Sequence, residues 1–511
     1  MNNKSFFRIG VFTAFFFIVS FVKASASEKT FYNVKEYGAL GDGKTLDSPA
    51  INKTIDAAVN AGGGTVFLPA GTYLSGSIHM KSNINLFLDA GCVILGAPQD
   101  INAYDPEEHF DGIQYQDGGH THFHNSLIWG ENLKNVSITG HGMIDGGGLV
   151  NTTKEANMGT IGKASKSIAL KLCRNVLIRD ITIFHGGHFA ILVTGCNLVT
   201  LDNLTIDTNR DGIDIDCCTN TVVSNCRVNS PNDDGICPKS SFALGKKWIT
   251  ENLSIVNCEV SGFVEGTLLD GRMIPCKNGN GRIKFGTEAN GGFRNCVVSN
   301  CTFRCCKGIA LEEVDGGIME NISINNITMI DVIDYPIYIT LGERKRDPDT
   351  TAVSVGRNIF ISNIIATVSD TLSGIHITGS TKSYLEDIRL SNIHIIYKGG
   401  GTEQQGKISY PELGKGYPEI AFLKTVVPAY GLYARHVKNL QLDNITVDYK
   451  NEDRRPPMIC IDVDGLEINN FKAKVAEGIQ AAKFESVKRL VVYRSPVLNK
   501  IVSIKDNTNN E

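Results

Sequence analysis

Two clusters of carboxylates lie about 22 residues apart in one stretch of the chain. They are Asp211, Asp214 and Asp216, then Asp233 and Asp234. Paired carboxylates serve glycoside hydrolysis, in which one donates a proton to the leaving oxygen and another activates water. Carboxylate oxygens also bind calcium, and a single cluster of this kind is more often a turn cap. Which chemistry applies depends on whether the fold brings the two clusters together.

A repeat of short strands runs through the sequence. Phrases such as RNVLIRDITI, CNLVTLDNLTI and ENLSIVNCEV each combine Asn with alternating apolar residues. The starts at Asn175, Asn197 and Asn220 are 22 and 23 residues apart. Strands and turn residues at a fixed period are typical of a solenoid, whose stacked coils share one core. We therefore predict an all-β parallel β-helix instead of the roughly three domains that the length suggests.

Asparagine and cysteine are expected to have structural roles in these coils. Asn tolerates the left-handed conformation of a coil corner, so we interpret the glycosylation sequons as corner ladders. These sequons include Asn135, Asn203, Asn252, Asn321 and Asn444. Most of the fourteen cysteines lie in strand-like phrases, where a free thiol packs as a small apolar group. A disulfide at Cys217-Cys218 or Cys305-Cys306 stays open, and no cysteine spacing is typical of a zinc site.

The coil length places the two acidic clusters side by side. Asp211 and Asp234 are 23 residues apart, so they should occupy neighbouring rungs about 4.8 Å apart. In the phrase GIDID, alternation sends Ile213 and Ile215 into the core and the acids between them outward. Further along, Glu288 and Glu312 are 24 residues apart, about one coil. Because like charges repel, a face that carries so many carboxylates favours chemistry over a passive surface.

The phrases NRDGID and NDDGI, 22 residues apart, resemble motifs of the polygalacturonase family, glycoside hydrolase family 28. The opening FYNVKEYGALGDGKTLDSPAINKTIDAA is similar to the N-terminal cap of pectin-degrading β-helices. The resemblance implies a right-handed parallel β-helix of the pectin-lyase-like kind. It also implies hydrolysis of galacturonate-containing polysaccharide with inversion, without a metal or another cofactor. Inverting enzymes separate their two carboxyl groups by about 6.5–9.5 Å.

The resemblance also assigns roles to the acidic residues. It makes Asp233 the general acid, and Asp211 and Asp234 the residues that hold and activate water. Asn209 matches the Asn of the family motif, while Arg210 stands where the family has Thr.

Two departures from the family bear on the substrate. The family's Gly-His-Gly is replaced by GNGRIKFGTE, which has no His. Its Arg-Ile-Lys is replaced by Ala310 and Glu312, and a literal Arg-Ile-Lys occurs one coil earlier. Glu312 would repel a galacturonate carboxylate, which favours a neutral sugar at one subsite, as in rhamnogalacturonan. The residues that we expect to bind substrate are Asn209, Asp214, Lys239, Arg282, Lys284, Glu288 and Glu312.

Long inserts interrupt the repeat and are expected to wall a groove, because long loops in compact folds are usually functional. They cover residues 98–127, 145–166, 263–283, 341–356 and 399–430. Tyr115, Tyr417 and Tyr430 in two of these inserts could close one end of the groove. A closed end would favour exo over endo cleavage.

The first residues predict export. Lys4 and Arg8 precede an apolar run and then the small residues Ala24-Ser25-Ala26, the layout of a secretory signal. We expect a signal peptide at 1–26, and one catalytic domain at 27–511 with a cap at 27–100. The product would be periplasmic or extracellular, without a membrane anchor. The net charge of −4 gives no indication of a nucleic-acid partner, and we expect a monomer that binds pectic polysaccharide or oligosaccharide.

Two other classes of function remain open. A β-helix polysaccharide lyase would abstract a proton beside the uronate carboxyl, usually with calcium, and would release unsaturated products that absorb ultraviolet light. A non-catalytic adhesin or glycan-binding β-helix would use the same acids as caps or calcium ligands.

Overall fold

The computed structural model describes Met1 and residues 30–109, 118–150, 163–346, 351–370, 374–423 and 425–499. The predicted signal peptide therefore lies outside the described residues, apart from Met1. No helix in the described part of the chain is long and apolar enough to cross a membrane.

Short strands make up most of the chain. Strands β1 to β12 are Phe31–Asn33, Asp42–Leu46, Gly64–Leu68, Gly71–Ser75, Ile78–His79, Ile84–Leu88, Cys92–Gly96, Ile128–Glu131, Lys134–Gly140, Met143–Asp145, Lys166–Lys171 and Arg174–Arg179. Strands β13 to β24 are Thr182–Phe184, Phe189–Thr194, Asn197–Asp202, Thr205–Asp207, Asp211–Asp216, Thr219–Ser224, Arg227–Asn229, Ile236–Lys239, Thr250–Val256, Glu259–Ser261, Lys284–Phe285 and Gly292–Ser299. Strands β25 to β35 are Thr302–Arg304, Lys307–Glu313, Ile318–Leu341, Val355–Val368, Ile375–Thr378, Leu385–Gly399, Leu432–Asn451, Met458–Asn469, Lys472–Ala473, Ala482–Glu485 and Lys488–Tyr493.

Helices are few and short in the described part of the chain. The α-helices there are α1, Ser48–Asn60, and α2, Ile420–Leu423. One-turn 3-10 helices are Val34–Tyr37, Gln99–Ile101, Gly118–His120, Gln405–Lys407 and Pro496–Leu498. Helix α1 buries Ile51, Ile55 and Ala58, spaced four and three residues apart, in the main core. It therefore covers the first coils with one apolar face.

The named strands pair in parallel with the equivalent strand of the next coil, so the predicted right-handed parallel β-helix is confirmed. One face matters for function, and we call it the site face. It begins with β5, β8, β11, β14, β17 and β20, which stack in that order, and it continues through β23 and β26 into the long strand β27. The register Ile213↔Ile236↔Ile283 keeps apolar side chains aligned in the core along this face.

The corner ladders predicted from the Asn residues are confirmed. Asn321 adopts a φ of 58°, and its side-chain amide donates to the Asn295 Oδ1 at 2.9 Å. Asn358 donates in turn to Asn321 at 2.7 Å. The same donation from coil to coil joins Asn444 to Asn392 at 2.9 Å. The sequon amides are therefore engaged in holding the corners.

The prediction of buried cysteines is confirmed for most of them. All fourteen cysteines are free, and only Cys276 and Cys305 are partly exposed. The disulfide left open at Cys217-Cys218 or Cys305-Cys306 is therefore not formed. Burial raises the pKa of the Cys306 thiol, which keeps it as an apolar thiol rather than a thiolate.

Candidate active site

The three predicted catalytic carboxylates meet at one corner of the site face. Asp211 begins β17, and Asp233 and Asp234 lie in the turn that leads into β20. The backbone N–H of Gly212 donates to the Asp234 carbonyl oxygen at 3.0 Å, so the acids are on neighbouring rungs, as the coil length predicts. One carboxyl oxygen from each of the three acids lies within 4.8 Å of the other two. The convergence on which the catalytic assignment depends is therefore present.

This closeness does not reproduce the separation typical of inverting enzymes. The nearest oxygens of the three acids, within 4.8 Å, are closer than the roughly 6.5–9.5 Å between carboxyl groups that leaves room for water. The distance therefore does not by itself indicate inversion, which stays a prediction.

Asp234 is held in its ionised form by two buried cations. The Nε of Arg282 donates to Oδ1 at 2.8 Å, and the Nζ of Lys284 donates to Oδ2 at 2.8 Å. Burial opposes ionisation of Asp234, but Lys284 and Arg282 outweigh it and lower the pKa of this carboxyl well below its usual range. Asp234 is therefore available as a base or as a stabiliser of positive charge.

The pKa of Asp211 is shifted in the opposite direction. It is buried, and its Oδ1 has no hydrogen-bond partner. Burial, followed by the negative charges of Asp233 and Asp214, raises its pKa well above the usual value. Two groups whose environments push their pKa values apart are the pattern expected of an acid–base pair. The pKa values of the neighbouring Asp211 and Asp234 carboxyls are thus shifted in opposite directions.

Asp233 is the most accessible of the three acids, with about a fifth of its side chain exposed at 22%. The Nη2 of Arg210 contacts its Oδ2. Arg210, the residue that departs from the family motif, thus positions the acid that the motif supplies. Beside it, Asp216 is not part of the site, because it accepts from the backbone N–H of Ser241 at 2.7 Å and caps that turn.

A second layer of charges surrounds the three acids. Asp214 lies 3.2 Å from the Nε2 of His120 and 3.3 Å from the Nζ of Lys239. Lys239 also lies 3.3 Å from Glu288, and Arg344 lies 3.6 Å from the other oxygen of Glu288. All of these side chains are buried, so they orient the site from beneath instead of lining an open surface. The outward position of Asp214 on its strand is confirmed, but inserts cover it.

His120 was missed in the sequence because it lies in the insert at 98–127, 94 residues from its partner Asp214. The run of histidines in HTHFH was the signal that could have drawn attention to it.

The structure confirms where the literal Arg-Ile-Lys lies. Lys284 pairs with Ala310 on the next coil, so this triad is one rung before the place where the family has it. Glu312 is fully buried two residues beyond Ala310, and neither of its carboxyl oxygens has a hydrogen-bond partner. Burial raises the pKa of Glu312 to about 8, although Lys284 and Arg282 act in the other direction. A pKa raised this far reduces the negative charge of Glu312 near neutral pH, which weakens the repulsion predicted between it and a substrate carboxylate.

The negative charge that we expected from Glu312 comes from Glu419, which lies in the insert at 399–430. The Oε1 of Glu419 contacts the Nη2 of Arg282, and its Oε2 accepts from the Nζ of Lys307 at 2.8 Å. In the same insert, the hydroxyl of Tyr417 lies 3.4 Å from the Nζ of Lys284 and 3.2 Å from the Oγ1 of Thr287. Arg282 is therefore saturated by protein groups rather than presented to substrate.

The other two tyrosines differ in position. Tyr430 is fully buried in the main core and donates to the Lys474 carbonyl oxygen at 2.6 Å, so its predicted place in the groove is wrong. Tyr115 lies outside the described residues.

Inserts cover the site face on both sides of the acids. Toward the N-terminus, Phe123 packs on Ala169, Phe189 and Leu192. Toward the C-terminus, one apolar cluster joins the insert at 399–430 to the site face, and it contains Tyr410, Ile420 and Val427 together with Tyr338, Tyr433 and Ile459. The described parts of two inserts thus pack against the site face on either side of the acids.

A small cleft lies next to the acids at the same corner. Its volume is about 100 Å³, and His185 and Glu265 line it. His185 is bonded to Asp145 at 2.8 Å, which raises the pKa of the imidazole. Glu265 is hydrogen-bonded to Asn209, and burial raises the pKa of this carboxyl. Asn209 therefore contacts a residue that lines the cleft, and its role in binding substrate stays a prediction.

The comparisons with known proteins agree first on the class of fold. A family model described as rhamnogalacturonase A/epimerase, pectate lyase-like, matches residues 31–237. The crystal structure of a hyperthermoactive exopolygalacturonase from Thermotoga maritima superposes with a TM-score of 0.59 at 24% identity, over 72% of this chain and 87% of that one. The protein has the parallel β-helix fold, and its residues 31–237 are similar to the pectate lyase-like family.

Sequence relatives narrow the comparison. A probable polygalacturonase from Vitis vinifera is 26% identical over 301 residues, which are 53% of this chain and 60% of the relative. The plasmin and fibronectin-binding protein A of Streptococcus pneumoniae is 36% identical over 182 residues, 34% of this chain and 24% of that protein. The chain thus spans less than two thirds of either relative. The predicted resemblance to the polygalacturonase family is confirmed.

Proposed function

We propose that this protein is a glycoside hydrolase that cleaves galacturonate-containing pectic polysaccharide. The observation that carries the proposal is the convergence of one carboxyl oxygen each of Asp211, Asp233 and Asp234 within 4.8 Å. The opposite pKa shifts of Asp211 and Asp234 support it. Relatives named polygalacturonase support the hydrolase class.

The arrangement supplies both proton transfers that hydrolysis needs. Asp211 carries a proton next to Asp233, the acid that reaches solvent, and this pair donates the proton to the leaving glycosidic oxygen as its bond to the anomeric carbon breaks. Asp234, kept ionised by Lys284 and Arg282, accepts a proton from the water that attacks that carbon. This scheme gives Asp211 part of the acid role, whereas the family resemblance assigns it to water.

The preferred substrate is the end of a rhamnogalacturonan-type chain. The match to a rhamnogalacturonase A/epimerase family model supports a backbone that contains rhamnose. The packing of Phe123 on one side of the acids and of the cluster around Tyr410 on the other supports a site bounded by inserts, which favours release of small products from a chain end. Export after cleavage of a signal peptide at 1–26, and action as a monomer, are part of the same proposal.

The test is a reducing-sugar assay on homogalacturonan and on rhamnogalacturonan oligosaccharides, with products identified by chromatography. Hydrolysis should yield small products, should survive a chelator and should generate no ultraviolet absorbance. The matched control for Asp233→Asn is Asp464→Asn, a change at a carboxylate that pairs with Arg489 at 2.8 Å on the surface. A calcium-dependent increase in ultraviolet absorbance would show that the protein is a lyase and would refute the proposed hydrolase activity.

A second candidate function is binding without catalysis. The match to the streptococcal plasmin and fibronectin-binding protein favours it, since that stretch is 36% identical. If the protein only binds, wild type and Asp233→Asn should have the same affinity for glycan or fibronectin. Neither form should then release reducing ends.

A further inference from the structure

We propose that Glu419 occupies a carboxylate-binding site that Arg282, Lys307 and Tyr335 form within the protein. Because Glu419 occupies this site, the substrate subsite beside Asp234 accepts a sugar that has no carboxylate at that position. The inference deepens the proposed function and rests on it for the identity of the substrate. The carboxylate site itself rests only on contacts within the chain.

The donors around Glu419 are those by which proteins recognise a carboxylate. One oxygen contacts the guanidinium of Arg282, and the other accepts from Lys307 at 2.8 Å and lies 3.4 Å from the hydroxyl of Tyr335. A planar guanidinium with an ammonium and a phenol gives charge-assisted hydrogen bonds to both oxygens of an acid. Any carboxylate of suitable size that reached this place would find the same donors.

The site is buried and charged, so it has to be filled. Arg282 and Glu419 are almost inaccessible to solvent. Burial would protonate Glu419, but Arg282 and Lys307 outweigh it and lower its pKa to about 2. The lowered pKa favours the ionised form of Glu419 at neutral pH. Without it, two cations would be left with too little negative charge in a site closed to water.

The position of Glu419 in the chain supports a role in specificity. It lies in the insert at 399–430, 137 residues from Arg282, and not on a coil. The coils supply the cation, and the insert decides whether that cation is free for a substrate. Arg282 also donates to Asp234 at 2.8 Å, so the same guanidinium joins the filled site to the proposed base. A uronate at this subsite would have to displace Glu419.

The experiment replaces Glu419 by Ala and by Gln, with Glu412→Ala as the matched control. Glu412 is in the same insert, but it pairs with Arg435 at 3.1 Å and is half exposed. Thermal midpoints are measured in formate, acetate and chloride at equal ionic strength. Formate or acetate should raise the midpoint of Glu419→Ala above its value in chloride, should raise that of Glu419→Gln by a smaller amount, and should leave wild type and Glu412→Ala unchanged.

Binding of galacturonate and of galactose is then measured by calorimetry. Glu419→Ala and Glu419→Gln should each bind galacturonate roughly ten-fold or more tighter than wild type does, since hydrogen bonds to charged groups contribute about 1.5–3 kcal/mol. Galactose affinity should not change. If wild type proves active, the variants should also show a lower KM for galacturonate-terminated chains.

Each result decides between the two proposals. Absence of both the carboxylate-specific rise in midpoint and the gain in galacturonate affinity would overturn the inference, whatever the activity. If Glu419→Ala does not fold, the galacturonate affinity of the isosteric Glu419→Gln decides alone. A carboxylate effect in a protein that hydrolyses nothing would leave the filled site standing and refute the proposed function.

Discussion

Replacing Glu312 by Gln should change how the stability of the protein depends on pH. Glu312 is fully buried, its two carboxyl oxygens have no hydrogen-bond partner, and its pKa is raised to about 8. In the unfolded chain a Glu titrates near its ordinary value of about 4.3. Between these two values the folded protein retains a proton that the unfolded chain has lost.

The sign and size of the effect follow from proton linkage. Where the native state binds more protons than the unfolded state, the free energy of unfolding falls as pH rises. Glu312 should therefore reduce stability by about 1.4 kcal/mol for each pH unit between about 4.5 and 8, which amounts to roughly 4–5 kcal/mol over the range. Above about pH 8 both states are ionised and the slope ends. The charged groups that act on Glu312 are Lys284, Arg282, Glu419 and Asp234.

The assay is urea unfolding of wild type and Glu312→Gln at several pH values from 4.5 to 8.5, with the exposed Glu467→Gln as control. Other titrating groups are common to all three proteins and cancel in the differences. The stability of Glu312→Gln relative to wild type should rise steadily with pH, while Glu467→Gln should stay parallel to wild type. A difference between Glu312→Gln and wild type that does not vary with pH would show that Glu312 ionises normally and would refute this reasoning.

Three other predictions concern the acids and the corners. Asp233→Asn should lower kcat about 10²–10⁴-fold, the usual contribution of general acid–base catalysis, with circular dichroism unchanged; full activity would remove Asp233 from the mechanism. NMR of the first product should show the inverted anomer, and a retained anomer would contradict the family mechanism. Asn321→Ala should cost about 2–3 kcal/mol in urea unfolding, because it loses a 2.9 Å hydrogen bond at a φ of 58°; a loss below about 0.5 kcal/mol would show that the ladder is dispensable.

The coils could be predicted because their signals are local and repeated. Alternation in five residues is enough to send Ile213 and Ile215 inward and Asp214 outward, and the structure places them so. The period then sets which residues lie beside one another on neighbouring rungs, and it brought Asp211 and Asp234 together correctly. Neither step depends on contacts between residues that are far apart in the sequence. Each coil repeats the same contacts, so a wrong assignment in one coil would conflict with the assignments of its neighbours.

The positions of the inserts could not be predicted in the same way. The inserts also contain charged side chains near the acids that the sequence analysis did not place there. His120 and Glu419 reach their partners Asp214 and Arg282 across 94 and 137 residues. No periodic pattern indicates where such a loop returns. The protonation of Glu312 is equally hidden, because it results from burial under other parts of the chain and not from its neighbours in sequence.

This division between coils and inserts bears on how specificity changes in such a fold. Asp211, Asp233 and Asp234 come from rungs whose spacing the backbone fixes, so the chemistry is tied to the coil. The charge around Asp234 is different, because Lys284 comes from a coil and Glu419 from an insert. An insert can change without disturbing the stacked core, since long surface loops tolerate alteration. The sign of the charge that a sugar meets can therefore change while the three acids stay where they are.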